Sequence, residues 1–227
     1  IDTGVNIVLV SPDGERCFLT NPEGSLRKLE PADVFAAIEA PGFSDVRAVC
    51  FASVFAYPLL MPALAEIFRR IKEKGPILLA DMTKRKNEET LADVAPALRY
   101  ADYVFPNLDE AYLLTGSRDP AAIAGQFLAC GVKNVVIKLG ADGCYVKNAD
   151  LEAYVPAVPG VRTVDSTGAG DNFAAGFIDA LLRGEGLVDR ARWGNAVASL
   201  CVERTGATTG TRDRREVERR ARSIAAM

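Results

Sequence analysis

The chain has 227 residues, 49% hydrophobic and 25% charged, enough to bury one substantial core and unlike a disordered composition. Lys and Arg total 27 against 30 Asp and Glu, a net charge of −3, so no basic field favours nucleic acid. Histidine is absent, which excludes Ser-His-Asp and Cys-His catalysis and His-ligated zinc.

Cys17, Cys50, Cys130, Cys144 and Cys201 are scattered, odd in number and form no C-x-x-C, which reads as free thiols in a reducing cytoplasm. The most apolar stretch, residues 48–65, is interrupted by Pro58 and Pro62, so no membrane span is expected.

Residues 5–10 and 16–20 are apolar or alternating around Ser11-Pro12-Asp13-Gly14, the pattern of a β-hairpin. A polar connector over 21–29 leads to a helix from Pro31, with Val34, Phe35 and Ile38 as its buried face. Strands and helices then alternate. Strands are expected over 48–54, 77–80, 103–105, 134–139 and 144–146. Helices are expected over 59–74 and, with a kink at Pro96, over 89–100; a third follows Asp119-Pro120 and stops at Gly131. A last long helix covers 188–204. The alternation predicts an α/β fold, a mostly parallel sheet with helices on both faces. In the tail RDRREVERRAR, Glu216/Arg220 and Glu218/Arg222 sit at i,i+4, the mark of a solvated helix.

The stretch TVDSTGAGDNFAAGFIDALLRG (163–184) organises the rest. Phe173, Phe177 and Leu181 recur every four residues and give a helix with one buried face. Gly168-Ala169-Gly170 leaves the first N–H groups of that helix free, a ready anion site. Asp171 places a carboxylate inside it. That combination suits a base accepting the proton of a hydroxyl that attacks a bound phosphoryl group. A dinucleotide fingerprint is rejected, because the third glycine is misplaced and Asp171 would repel a pyrophosphate.

From Asp165 to Ile178 the segment resembles the second signature of the ribokinase-like (PfkB) carbohydrate kinases. The resemblance implies a three-layer α/β/α fold with part of a small β lid in residues 1–22 and the kinase core in 23–227. It implies ATP-dependent phosphorylation of a hydroxymethyl group on a sugar or small polyol, with Asp171 as base and Gly168, Ala169 and Gly170 as anion hole. PNLDEAYLLTG (106–116) resembles the P-N-x-x-E motif, putting Asn107 and Glu110 near Mg²⁺, although the pair also reads as a helix capping box. KLGADG (138–143) resembles the nucleotide-side loop, with Lys138, Gly140 and Gly143 toward the phosphates. GNAVASLCVERTGATTG (194–210) resembles the adenine-side helix, with Asn195 and Ala198 near the base and Gly206-Ala207 by a cation loop. Asp165 and Thr167 match positions that help bind a monovalent cation in potassium-activated members; the use of K⁺ here stays open. ADMTKR (80–85) half resembles a D-x-N-x-R stretch of fructokinase-like and ketodeoxygluconate-kinase-like members, with Thr83 in place of Asn. The family's first, Gly-Gly signature and its early sugar-gripping Asp have no counterpart, so the chain reads as the later two-thirds of a family member. The acceptor stays open between a sugar and a nucleoside, and a non-catalytic sensor on the same fold is the further alternative. A homodimer through the lid is also compatible with the resemblance.

Overall fold

The computed structural model describes residues 6–10, 16–21, 24–210 and 213–224. Strands β1 (Asn6–Val10) and β2 (Arg16–Thr20) pair antiparallel as a separate two-stranded sheet. Their expected turn at 11–14, residue 5 and Arg212 of the tail lie outside the described residues. The hairpin is thus no edge of the main sheet. Ile7, Leu9 and Leu19 share one of its faces and are exposed.

The six-stranded main sheet runs in chain order: β3 (Ala48–Phe51), β4 (Ile77–Asp81), β5 (Tyr103–Phe105), β6 (Asn134–Lys138), β7 (Cys144–Lys147) and β8 (Glu152–Val155). The first four pair parallel, and β6-β7-β8 form an antiparallel meander, so the sheet is mixed. Side chains alternate between its faces. Leu78, Ala80, Val104, Val135 and Ile137 enter one core with α1 (Pro31–Glu39), α2 (Leu64–Glu73), α3 (Leu91–Leu98), α4 (Leu108–Thr115) and α5 (Pro120–Ala129). Leu79, Tyr103, Phe105 and Val136 enter the other, under α6 (Ala169–Leu182), α7 (Leu187–Val202) and α8 (Arg214–Ser223). The result is three layers.

Local chemistry explains most boundaries. In α2, Leu64, Ile67, Phe68 and Ile71 form the buried stripe at i, i+3, i+4, i+7. Asp119 caps α5 by accepting from the Ala121 and Ala122 N–H groups, with Pro120 in the first turn. Three expectations shift. The strand expected over 48–54 ends at Phe51, because Ser53 turns left-handed (φ 57°) and a 3₁₀ turn follows. The helix expected from 59 starts at Leu64, after a 3₁₀ turn around Pro62. Pro96 stays inside α3, which the Thr90/Asp93 capping box starts and which ends two residues later. Strand β8 had no sequence expectation. In the tail, Glu216 does pair with Arg220, but Glu218 bonds Arg214 instead of Arg222.

Asp102, just ahead of β5, bolts the amino edge of the sheet. It accepts from Lys72 Nζ at 2.5 Å, Lys133 Nζ at 2.9 Å and the Leu78 N–H at 2.9 Å. Burial pushes its carboxyl up, but the bonds from Lys133, Lys72 and Leu78 outweigh burial and hold it below the ordinary value. A depressed carboxylate contributes stability above its unfolded pKa and loses it as pH falls through the folded value. Asp102→Asn is expected to cost about 2 kcal/mol at neutral pH. Urea unfolding should show the gap to wild type narrowing below about pH 4.

Candidate active site

The carboxyl ends of the parallel strands open onto a cleft of about 1020 Å³. In such sheets this is where ligands bind. Asn107, Glu110, Lys138, Gly140, Gly143, Gly168, Ala169, Gly170, Asp171, Asn195 and Ala198 all line it. Asp165 and Thr167 are not among its lining residues.

The turn before α6 is held from behind. Asp165 accepts from the N–H groups of Thr167 at 2.8 Å and Gly206 at 2.9 Å, joining this loop to the one after α7. Asn172 Nδ2 donates to the Gly168 and Ala207 carbonyls at 2.8 and 2.7 Å. Gly168 is left-handed (φ 76°), and a Cβ there would lie 2.7 Å from Ala207 Cβ, so only glycine fits. At the start of α6, the Ala169 N–H is engaged by the Ser166 carbonyl at 3.2 Å and would have to leave it to join an anion hole. The Gly170 and Asp171 N–H groups have no acceptor among the described residues. The Asp171 carboxylate is exposed in the cleft and forms no hydrogen bond or ion pair with any described residue.

Lys138, at the end of β6, reaches toward this turn. Its Nζ would lie 3.2 Å from a Cβ built on Gly170, and it donates to Asp81 Oδ1 at 2.7 Å. Asp81 ends β4 and is 5% exposed. Burial raises its pKa while the Lys138 ammonium opposes that rise. Sequence reading did not assign Asp81 to the site, though an acid closing an apolar strand was a usable signal. Ser53 and the loop 156–161, which also line the cleft, were likewise unassigned.

Asn107 and Glu110 do form the capping box of α4. Each side chain accepts the other's backbone N–H at 2.8 Å. Burial pushes the Glu110 carboxyl up to about 7, with Lys138 and the Asn107 N–H opposing. Asn195 is buried, its amide donating to the Val155 and Pro156 carbonyls at 3.1 and 3.0 Å, so it fixes the cleft wall. Gly143 serves the same wall, because a Cβ there would lie 2.1 Å from the Val155 carbonyl oxygen.

A model of the pfkB family of carbohydrate kinases matches residues 1–214. The chain belongs to that family. Among curated relatives, an uncharacterized sugar kinase of Archaeoglobus fulgidus is 35% identical over 142 residues, 63% of this chain and 56% of the relative. The 2-dehydro-3-deoxygluconokinase of Bacillus subtilis is 40% identical over 110 residues, 48% of this chain and 34% of that protein. The structure of Arabidopsis thaliana ribokinase complexed with ribose and ATP superposes with a TM-score of 0.76 at 24% identity, over 96% of this chain and 69% of that one. The fold is therefore ribokinase-like. The PfkB chain spans about half the length, or less, of these two curated relatives.

The raised Glu110 pKa has a signed consequence. A carboxyl raised on folding favours the fold at low pH and loses that contribution as pH rises through its folded value, about 7. Glu110→Gln keeps an oxygen for the Asn107 N–H and removes the charge. Its melting temperature relative to wild type should therefore climb between about pH 5 and pH 8. A flat difference across that range would mean the Glu110 carboxyl is not so perturbed.

Proposed function

We propose that this PfkB chain carries the phosphoryl-transfer half of an ATP-dependent kinase for a hydroxymethyl group on a sugar or small polyol. The supporting observation is the unpaired Asp171 carboxylate, beside two N–H groups without acceptors and the Lys138 ammonium. Asp171 accepts the proton of the acceptor hydroxyl as its oxygen bonds the γ-phosphorus and the bond to the bridging oxygen of ADP breaks. The Gly170 and Asp171 N–H groups and Lys138 hold the oxygens of the transferring group.

No group of three or more His, Cys, Asp or Glu side chains suited to a metal occurs among the described residues. That fits Mg²⁺, which keeps its waters and takes one or two protein oxygens beside the phosphates. Glu110 and Asn107 are the oxygen donors in the cleft that would hold it, largely through water. The ion would neutralise charge on the phosphates. Asp165 and Thr167 would serve a monovalent cation behind the turn, a role tested by exchanging K⁺ for Na⁺ in the assay.

Residues 1–22 act in this reading as part of a lid, and 23–227 as the catalytic core. The exposed Ile7, Leu9 and Leu19 are the surface through which a second copy would pair, which sedimentation tests. An ATP-rich, reducing cytoplasm suits the free Cys50, Cys130, Cys144 and Cys201. Among the described residues no helix is long and apolar enough to cross a membrane.

Asp171→Asn is expected to retain ATP binding and to lose phosphoryl transfer by about 10²–10⁴-fold, measured by radiolabelled phosphate transfer to a sugar and sugar-acid panel. Turnover at the wild-type rate in that variant would remove Asp171 from the mechanism. Lys138→Met should weaken ATP binding by about tenfold while leaving the fold intact, because Asp81 keeps its bond from the Met82 N–H and can take up a proton.

A further inference from the structure

A second cavity, of about 650 Å³, lies at the opposite end of α6 and α7 and belongs to no function described above. It is walled by the end of α6, the start of α7 and one face of α8. Arg183, Arg192, Arg214 and Arg222 line it around Trp193, together with the acids Glu185, Asp189 and Glu218. Asp171 is about 18 Å away along α6, at 1.5 Å per residue.

Asp179, Glu185, Asp189 and Glu218 pair with three of these four arginines, but not every guanidinium donor finds an acceptor. Arg183 lies across the Trp193 ring at 3.8 Å and bonds Asp179, with Glu185 3.7 Å away, yet its Nη2 is buried with no hydrogen-bond partner. Arg192 pairs Asp189 through Nη1 at 2.6 Å, while its Nε is likewise buried and unpartnered. Arg214 sits 5.5 Å from the same ring, bonds Glu218 at 3.4 Å and lies 3.9 Å from Asp179. Arg222 is in no ion pair among the described residues. Buried charged donors without acceptors are costly, and both of these belong to arginines lining one cavity. The start of α7 lies here beside the carboxyl end of α6, so the two dipole ends oppose each other and side chains must supply the attraction.

We propose that this cavity is a binding site for a phosphate group, either free phosphate or a small phosphate monoester. Guanidinium groups carried by the end of α6, by α7 and by α8 suit a tetrahedral oxyanion with several acceptors better than a planar carboxylate, which one fork can satisfy. The site does not depend on the kinase reading, since none of its residues lines the catalytic cleft.

Trp193 is the only tryptophan and stacks against the cavity's own arginine, so its emission reports occupancy. The test titrates the intact protein with inorganic phosphate, with glycerol 3-phosphate and with acetate, at ionic strength held constant with chloride. Inorganic phosphate is expected to change the emission saturably, with half-saturation on the order of 1 mM or tighter. Arg192→Gln should weaken that response by about tenfold, and Arg222→Gln, which breaks no ion pair, should weaken it as well. Asp171→Asn should leave it as in wild type, separating this site from phosphate in the catalytic cleft. Tighter binding of glycerol 3-phosphate would identify a monoester as the ligand, and equal or weaker binding free phosphate. A linear response, an equal response to acetate, or one unchanged in Arg222→Gln would overturn the proposal.

Discussion

The close crossing of α6 and α7 sets the geometry of everything functional in this chain. A Cβ at Gly176 would lie 2.7 Å from both the Trp193 carbonyl oxygen and Val197 Cγ2, and one at Gly194 would lie 2.8 Å from the Phe173 ring. Two backbones that approach this closely cannot slide past one another without a clash. The pair then docks as a unit on the sheet, through Phe173 and Phe177 edge-on to Phe105, with Tyr103 edge-on to Phe177. One docking event fixes the first turn of α6 against the strand ends, and with it Gly170 beside the Lys138 ammonium.

Electrostatics in the cleft follow from the same placement. Lys138 and Asp81 are 13% and 8% exposed as side chains, and such buried pairs add little to stability once desolvation is counted. Their value is positional. Asp81 ends β4, paired on both sides within the sheet, and holds a long, flexible ammonium stem at one place beside the α6 turn. Asp171 has no such partner, and its carboxylate stays available in the cleft, where burial pushes the neighbouring acid Glu110 up to about 7. The groups expected to meet phosphate are thus restrained, while the one expected to accept a proton is left exposed.

Much of this was legible in the sequence, for physical reasons that differ by residue. The buried strands announce themselves as short apolar runs, and α6 as a four-residue repeat of Phe173, Phe177 and Leu181 beyond a glycine turn. Their side-chain alternation then had to supply two cores, as it does. Strand β8 was illegible because only Val155 is buried and its partners are set by the meander, not by its own pattern. Ser53 gave no sign of its left-handed turn, a conformation serine seldom adopts. The Asp81–Lys138 pair spans 57 positions, beyond any local rule. Gly143 and Asn195, read as nucleotide-side residues, both line the cleft and in addition brace its wall around Val155. Local spacing identifies a motif; it does not tell whether the side chain faces the ligand or the scaffold behind it.

The antiparallel arrangement of α6 and α7 has one more consequence. They are joined by a short turn after Arg183, so each end of the pair presents one helix's amino terminus and the other's carboxyl terminus. At the cleft, the amino terminus is that of α6, and its N–H groups face the place where phosphate is expected. At the far end, the amino terminus is that of α7, but the carboxyl end of α6 stands beside it and repels an anion. Backbone alone therefore cannot make an anion site there. A phosphate at that end has to be held by side chains, and that is where Arg183 covers the carboxyl end of α6 while Arg192, Arg214 and Arg222 line the space beyond. The same helix pair thus asks for backbone recognition at one end and for guanidinium recognition at the other.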